Sequence, residues 1–197
     1  KGQNIMDKVH YGCSKVTDNP LLCINIGDKC VSSLLLSMGN NNEISYCSKT
    51  LEELRNKKLN KLLRAVLFII AKKMNKNIDS LRVEISNPIS AFLLVKYFDA
   101  ELWGDYNKKD LKDMEKETNS EKYDEDDDYD EDYDDYDYDY KEFPSLKAET
   151  TKEKGYESFI KKINNYLSVT NNLMCIAEIN DKTYNKAIQI FEETIKE

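Results

Sequence analysis

Residues 51–74, LEELRNKKLNKLLRAVLFIIAKKM, hold the longest apolar concentration in the chain. From Leu62 to Ala71 the side chains are apolar except for Arg64. A helix that is apolar all round has to be buried on most sides, so this stretch reads as a central rod around which the rest packs. Thr50, Leu51, Glu52 and Glu53 make a capping-box pattern that would open it, and Asn75 to Asn77 would close it.

Toward the N-terminus, Asp18-Asn19-Pro20 is a capping side chain followed by proline, a helix-start signal. Leu21 to Met38 then reads as the first helix, with Ile24, Val31, Leu34, Leu35 and Met38 on one side and Gly39 as its stop. Asn40 to Ser48 reads as a loop. Toward the C-terminus, residues 78–85 fit either a short strand, because Leu81, Val83 and Ile85 alternate, or a helical turn. Ser86-Asn87-Pro88 starts another helix that should run to about Trp103. Residues 107–122 look like a fraying helix or linker. Residues 153–169 form an amphipathic helix, 173–179 a short apolar helix, and Asn180-Asp181 caps the last one.

The chain is therefore expected to be all-α, an irregular helical bundle of about six helices with a disordered acidic loop. Residues 1–119 form a helical N-terminal portion with a cysteine-rich start. Residues 120–145 form the Asp/Tyr-rich loop, and residues 146–197 add C-terminal helices to the same bundle. Only 6 Gly and 3 Pro occur in 197 residues, which favours long helices over a many-turned β protein.

The net charge of -8 conceals a strong asymmetry. Glu121 to Glu142 contain ten Asp, four Glu and two Lys, a net of -12, so the rest of the chain carries +4. Tyr123 to Tyr140 has no Leu, Ile, Val or Phe and cannot bury enough surface to offset its ordering entropy. Weak divalent-cation binding fits this run, which lacks the glycine and spacing of an EF-hand loop.

Five cysteines occur: Cys13, Cys23, Cys30, Cys47 and Cys175. Four lie within the first 47 residues, so two disulfides stapling this region in an oxidising compartment are expected, against the alternative of free cytosolic thiols. On a helix, Cys23 and Cys30 would share a face and pair outward rather than with each other. With no CxxC and a lone histidine, His10, no metal site is expected. The chain starts at Lys1, as a secreted protein lacking its leader would. The expected location is secreted or a secretory-organelle lumen, with cytoplasmic as the alternative.

No catalytic constellation appears. There is no Gly-rich phosphate loop, GxSxG or HExxH, and nothing places His10 beside a thiol. A non-enzymatic protein with no cofactor is expected. Lys57, Lys61 and Arg64 share one side of the central helix as a possible basic contact face. The body's +4 is too small for a phosphate footprint, which disfavours nucleic acid.

The segments NNNEIS, KKMNKNID, DDYDYDY and INNYLSVTNN give the chain an Asn-, Lys-, Asp- and Tyr-rich style. In that composition it resembles small helical secreted proteins of malaria parasites that act in egress, invasion or cell traversal. The resemblance implies a secreted interaction protein that binds a protein partner or a membrane surface. The alternative is an intracellular helical scaffold or nucleic-acid-associated protein with an autoinhibitory acidic loop.

Overall fold

The computed structural model describes residues 9–13, 20–39, 42–55, 58–74, 77–119, 140–170 and 172–196. Strands and helices mix along these residues, and the all-α expectation is wrong. The strands are β1 (Val9–Cys13), β2 (Pro20–Ile26), β3 (Lys29–Met38), β4 (Glu43–Thr50), β5 (Ser80–Glu84), β6 (Glu101–Asp105), β7 (Tyr140–Glu142) and β8 (Met174–Glu178). The helices are α1 (Leu59–Met74), α2 (Pro88–Phe98), α3 (Lys108–Asn119), α4 (Gly155–Val169) and α5 (Asp181–Lys196). The strands form one mixed sheet in the order β1-β2-β3-β4-β5-β8-β6-β7.

The expected first helix is a hairpin. Ile26 pairs with Lys29 across Gly27-Asp28, and Gly27 has φ of 60°. A two-residue loop with glycine at positive φ in its first position turns the chain back with the twist that antiparallel strands need. Leu22, Ile24, Leu34 and Leu36 are buried at alternate positions, a period of two rather than 3.6. The expected loop after it is β4, which pairs antiparallel with β3 from Ser32↔Thr50 to Met38↔Ile44. Thr50 ends this strand instead of capping a helix, and α1 begins at Leu59 after a 3-10 turn at Glu52–Leu54.

Farther on, α2 stops at Phe98 instead of running to Trp103. Asp99 adopts φ of 54°, which breaks the helix, and the chain leaves as β6. The apolar run expected as a short helix is β8, where Cys175 and Ala177 are buried in alternation. Residues 120–139 of the expected acidic loop lie outside the described residues, and Tyr140–Glu142 is strand β7.

The chain divides into two compact units. One holds residues 1–83, 97–100 and 176–197, the other residues 84–96 and 101–175. In the first, α1 lies against β2, β3, β4 and α5. Leu62, Leu63, Ala65, Leu67 and Phe68 are almost fully buried, and Phe68 stacks on Phe98 with centroids 4.3 Å apart. Lys72 pairs with Asp181 at 3.0 Å, and Asp99 takes both Lys182 and Lys186 of α5. Burial, then the neighbouring Lys182, lowers the Lys186 ammonium below its ordinary pKa.

In the second unit, Phe92 packs edge-on against Tyr156 and Phe159. Tyr106, Phe143 and Tyr166 stack in series at 4.1 and 4.5 Å. Gly155 opens α4 where a Cβ would come within 1.7 Å of the Glu149 carbonyl oxygen, so the close approach requires glycine there. No described helix is long and apolar enough to cross a membrane.

Candidate anion-binding site

The polar side chains that α1 buries converge on its first turns. Arg64 is 1% exposed. Its Nε donates to the Tyr46 hydroxyl at 2.6 Å, and its Nη1 donates to the Asn60 carbonyl at 3.1 Å. Thr50 Oγ1 donates to Asn60 Oδ1 at 2.9 Å and meets Ser32 Oγ at 2.7 Å. This chain of contacts pins the last residue of β4 to the second residue of α1. A buried guanidinium is tolerated only with such partners.

Beside the pinned corner the sheet pairing is short. β4 and β5 run parallel, yet they pair only at Glu43↔Ser80 and Ile44↔Leu81. Both strands then continue, β4 to Thr50 and β5 to Glu84, without further pairing to each other. The pairing ends before the strands' carboxyl ends, and that is the end of β4 that meets the start of α1.

The α1 N-terminus has the character of an anion receptor. Lys58 has φ of 58°, and its carbonyl accepts the first helical bond, from Leu62 N at 3.0 Å. The amides that follow point out of the helix end with no intrahelical acceptor. No acidic residue occupies the first turn. Arg55 and Lys58 precede it, and Lys61 lies within it with its Nζ 4.2 Å from the Tyr97 ring centroid. The helix dipole and these cations act in the same direction on an anion placed there.

The expected contact face is only partly assembled. Lys61 is half-buried, Arg64 is inside the protein, and Lys57 lies outside the described residues. Sequence patterning missed Tyr46 and Asn60, which carry no motif signal, and read Thr50 as a helix cap rather than as the end of a strand. The parting of β4 and β5 is a backbone property that has no residue signature.

The cysteines do not staple the N-terminal region. Cys23, Cys30, Cys47 and Cys175 are free thiols, so the disulfide expectation is corrected for them. Strand pairing explains why. Cys47 lies opposite Leu35 on β3, and Cys175 is buried in β8. Cys13 sits opposite Pro20 in β1, and its side chain lies outside the described residues. The expected helix face is absent, and the register shift after Ile24 sets Cys23 and Cys30 on one face of the hairpin. Burial first, then the hydrogen bond with Cys30 and its charge, pushes the Cys23 thiol from 9.0 up to about 11. His10, whose side chain is outside the described residues, occupies the register position opposite Cys23.

No protein-family model and no curated protein matches the chain. Among solved structures, an acetyltransferase of the GNAT family from Staphylococcus aureus Mu50 is similar to it. The similarity covers 90% of this chain and 72% of that one, with a TM-score of 0.39 and 15% identity. The expectations of a helical interaction protein and of an intracellular helical scaffold are corrected by the fold itself. The helical bundle on which both stood is a mixed sheet with helices.

Proposed function

We propose that the chain binds an extended, phosphate-bearing small ligand at the carboxyl ends of β4 and β5, with its phosphate on the N-terminus of α1. The observation that carries this reading is the parting of β4 and β5 after two residue pairs, beside a helix start that has no acid in its first turn. In open sheets with parallel strands, ligands favour the crevice at the strands' carboxyl ends, where a helix N-terminus can meet a phosphate. Strand edges that leave each other supply amides and carbonyls to an extended ligand in the manner of an added strand.

Titration calorimetry of the full chain with pyrophosphate, ADP and acetyl-coenzyme A tests the proposal. Saturable binding that weakens with added salt is expected for at least one of them. Lys61→Glu should weaken it by about tenfold, the effect of one reversed charge near a phosphate. No saturable binding of any of the three at low salt, or binding indifferent to Lys61→Glu, overturns it.

A further inference from the structure

The β2–β3 hairpin carries a second cluster of donor atoms, away from α1. Pairing runs Leu22↔Leu34, Cys23↔Ser33, Ile24↔Ser32, then shifts to Asn25↔Cys30 and Ile26↔Lys29. Val31 is the extra residue of this β-bulge. In an unshifted register Cys30 would stand opposite Ile26, on the same face as Leu22 and Ile24. The bulge turns it instead onto the face of Cys23 and Asn25. Leu22 and Ile24 are buried, whereas Cys23 and Asn25 are half-buried and Cys30 is exposed, so this is the outer face of the hairpin.

On that face Cys23 and Cys30 stand near each other across the two strands, and Cys30 Sγ donates to the Ser32 carbonyl at 3.6 Å. Asn25 stands directly opposite Cys30, and its Oδ1 is buried with no hydrogen-bond partner among the described residues. A buried amide oxygen without a donor is costly. Among the described residues there is no group of three His, Cys, Asp or Glu side chains suited to a metal, so the cluster is two sulfurs and one amide oxygen.

We propose that Cys23, Cys30 and Asn25 Oδ1 bind a thiophilic divalent cation of the zinc class. Two sulfurs on one face of a hairpin can close on a metal by side-chain rotation, since metal–sulfur bonds of about 2.3 Å set them roughly 3.8 Å apart. A disulfide would require them at about 2.05 Å and a closer approach of the strands. Binding exchanges two S–H bonds for two metal–sulfur bonds and releases two protons to solvent. The amide oxygen gains the partner it lacks, and water completes the coordination. A bulge that costs a ladder hydrogen bond acquires a use, because it alone brings the second sulfur to this face.

The test uses the reduced full chain and Cd²⁺ as a spectroscopic probe, with Zn²⁺ in a second arm. Ultraviolet thiolate-to-metal absorbance should saturate at one equivalent of Cd²⁺. Cys23→Ser and Cys30→Ser should each weaken binding by about 100-fold or more, while Cys47→Ser leaves it unchanged. A measurement on the unaltered chain covers variants that fail to fold. Zn²⁺ should slow alkylation of Cys23 and Cys30, read by mass spectrometry, and leave Cys47 reacting as before. Absence of saturable absorbance, binding that survives Cys23→Ser, or equal alkylation of all three thiols with and without Zn²⁺ overturns the site. A Cys23–Cys30 disulfide that forms in air as fast with Zn²⁺ as without it also overturns it and makes the pair a redox couple.

Discussion

Two polar junctions fasten a strand end to a helix end in this chain, and they carry opposite charge. In the first unit, Thr50 at the end of β4 bonds Asn60 near the start of α1, with Arg64 buried beside them. In the second, Asp105 at the end of β6 accepts from the hydroxyl of Thr170, the C-cap of α4, and from Asn172 Nδ2 at 3.0 Å. A cation near a helix N-terminus and an anion near a helix C-terminus both oppose the helix dipole. The second junction resolves the conflict internally. Its carboxylate takes two side-chain donors, and the Thr170 bond holds its pKa below the ordinary 3.8 despite burial. The first junction places a positive helix end, a buried guanidinium and flanking lysines together with no acid in the first turn. One junction is electrostatically closed and serves the fold. The other has no acid in the helix's first turn, and the proposed ligand would supply the missing anion.

Four measurements break or sharpen that contrast. The largest effect is expected from Leu63→Ala, because Leu63 is fully buried in the helix that carries the first junction. It should cost about 3 kcal/mol in denaturant unfolding, and a cost below about 1 kcal/mol would mean that α1 is not the core of its unit. Next, Tyr46→Phe removes the oxygen that accepts from Arg64 Nε. The loss of a buried acceptor for a charged donor should cost about 2 kcal/mol and weaken phosphate-ligand binding as Arg64 is released. Stability and binding both unchanged would sever the network from the site.

The second junction responds to pH. Thr170→Val deletes the largest contribution that lowers the Asp105 pKa. A carboxylate with a depressed folded pKa adds stability above its unfolded pKa and loses it as the pH falls through the folded value. The variant should therefore be less stable by about 1 kcal/mol at neutral pH. That deficit should shrink below pH 3.8 as Asp105 protonates in the unaltered protein. A deficit that stays constant into acid would show that the hydroxyl acts by packing alone.

The smallest effect is a gain. Lys58 holds a left-handed backbone before α1. Lys58→Gly should stabilise folding by about 0.5–1 kcal/mol by relieving the Cβ strain, while removing one cation from the anion site. If folding is not stabilised, the turn is held by contacts of the Lys58 side chain.

Some of this was legible in the residues. Helix α4 follows the amphipathic spacing of Phe159, Ile163 and Tyr166, and α5 opens at Asn180, whose Oδ1 accepts from Thr183 N at 3.0 Å. Asn87 before Pro88 likewise accepts from Ile89 N at 2.9 Å. The alternation of Leu81, Val83 and Ile85 is that of β5. What failed was the Leu- and Ser-rich stretch from Leu21 to Met38. Its side chains fit either periodicity, and the shift at Val31 brings two consecutive buried residues, Val31 and Ser32, that break strict alternation. The scarcity of glycine misled as well, since one Gly-Asp loop was enough to make the hairpin. The site fared worse, because parted strands and a left-handed lysine are properties of the backbone. Lys61 was visible as a basic residue on the helix, but Arg64 looked like its surface companion and is interior.

The position of β8 has a consequence for how the chain reaches this state. It lies between β5 and β6 in the sheet, although it follows both by about 70 to 90 residues of chain. Strands β2, β3 and β4 are joined by short turns and can zip together as soon as they leave the ribosome. Strands β5 and β6 cannot be bridged until residues 174–178 have been made. Pairings closed over such separations are slow, and unpaired edges recruit other strands while they wait. Synthesis therefore passes through an interval in which two half-buried strands stand with their intended neighbour still missing. That interval, rather than the finished sheet, is when the nascent chain is most exposed to aggregation and most in need of a chaperone.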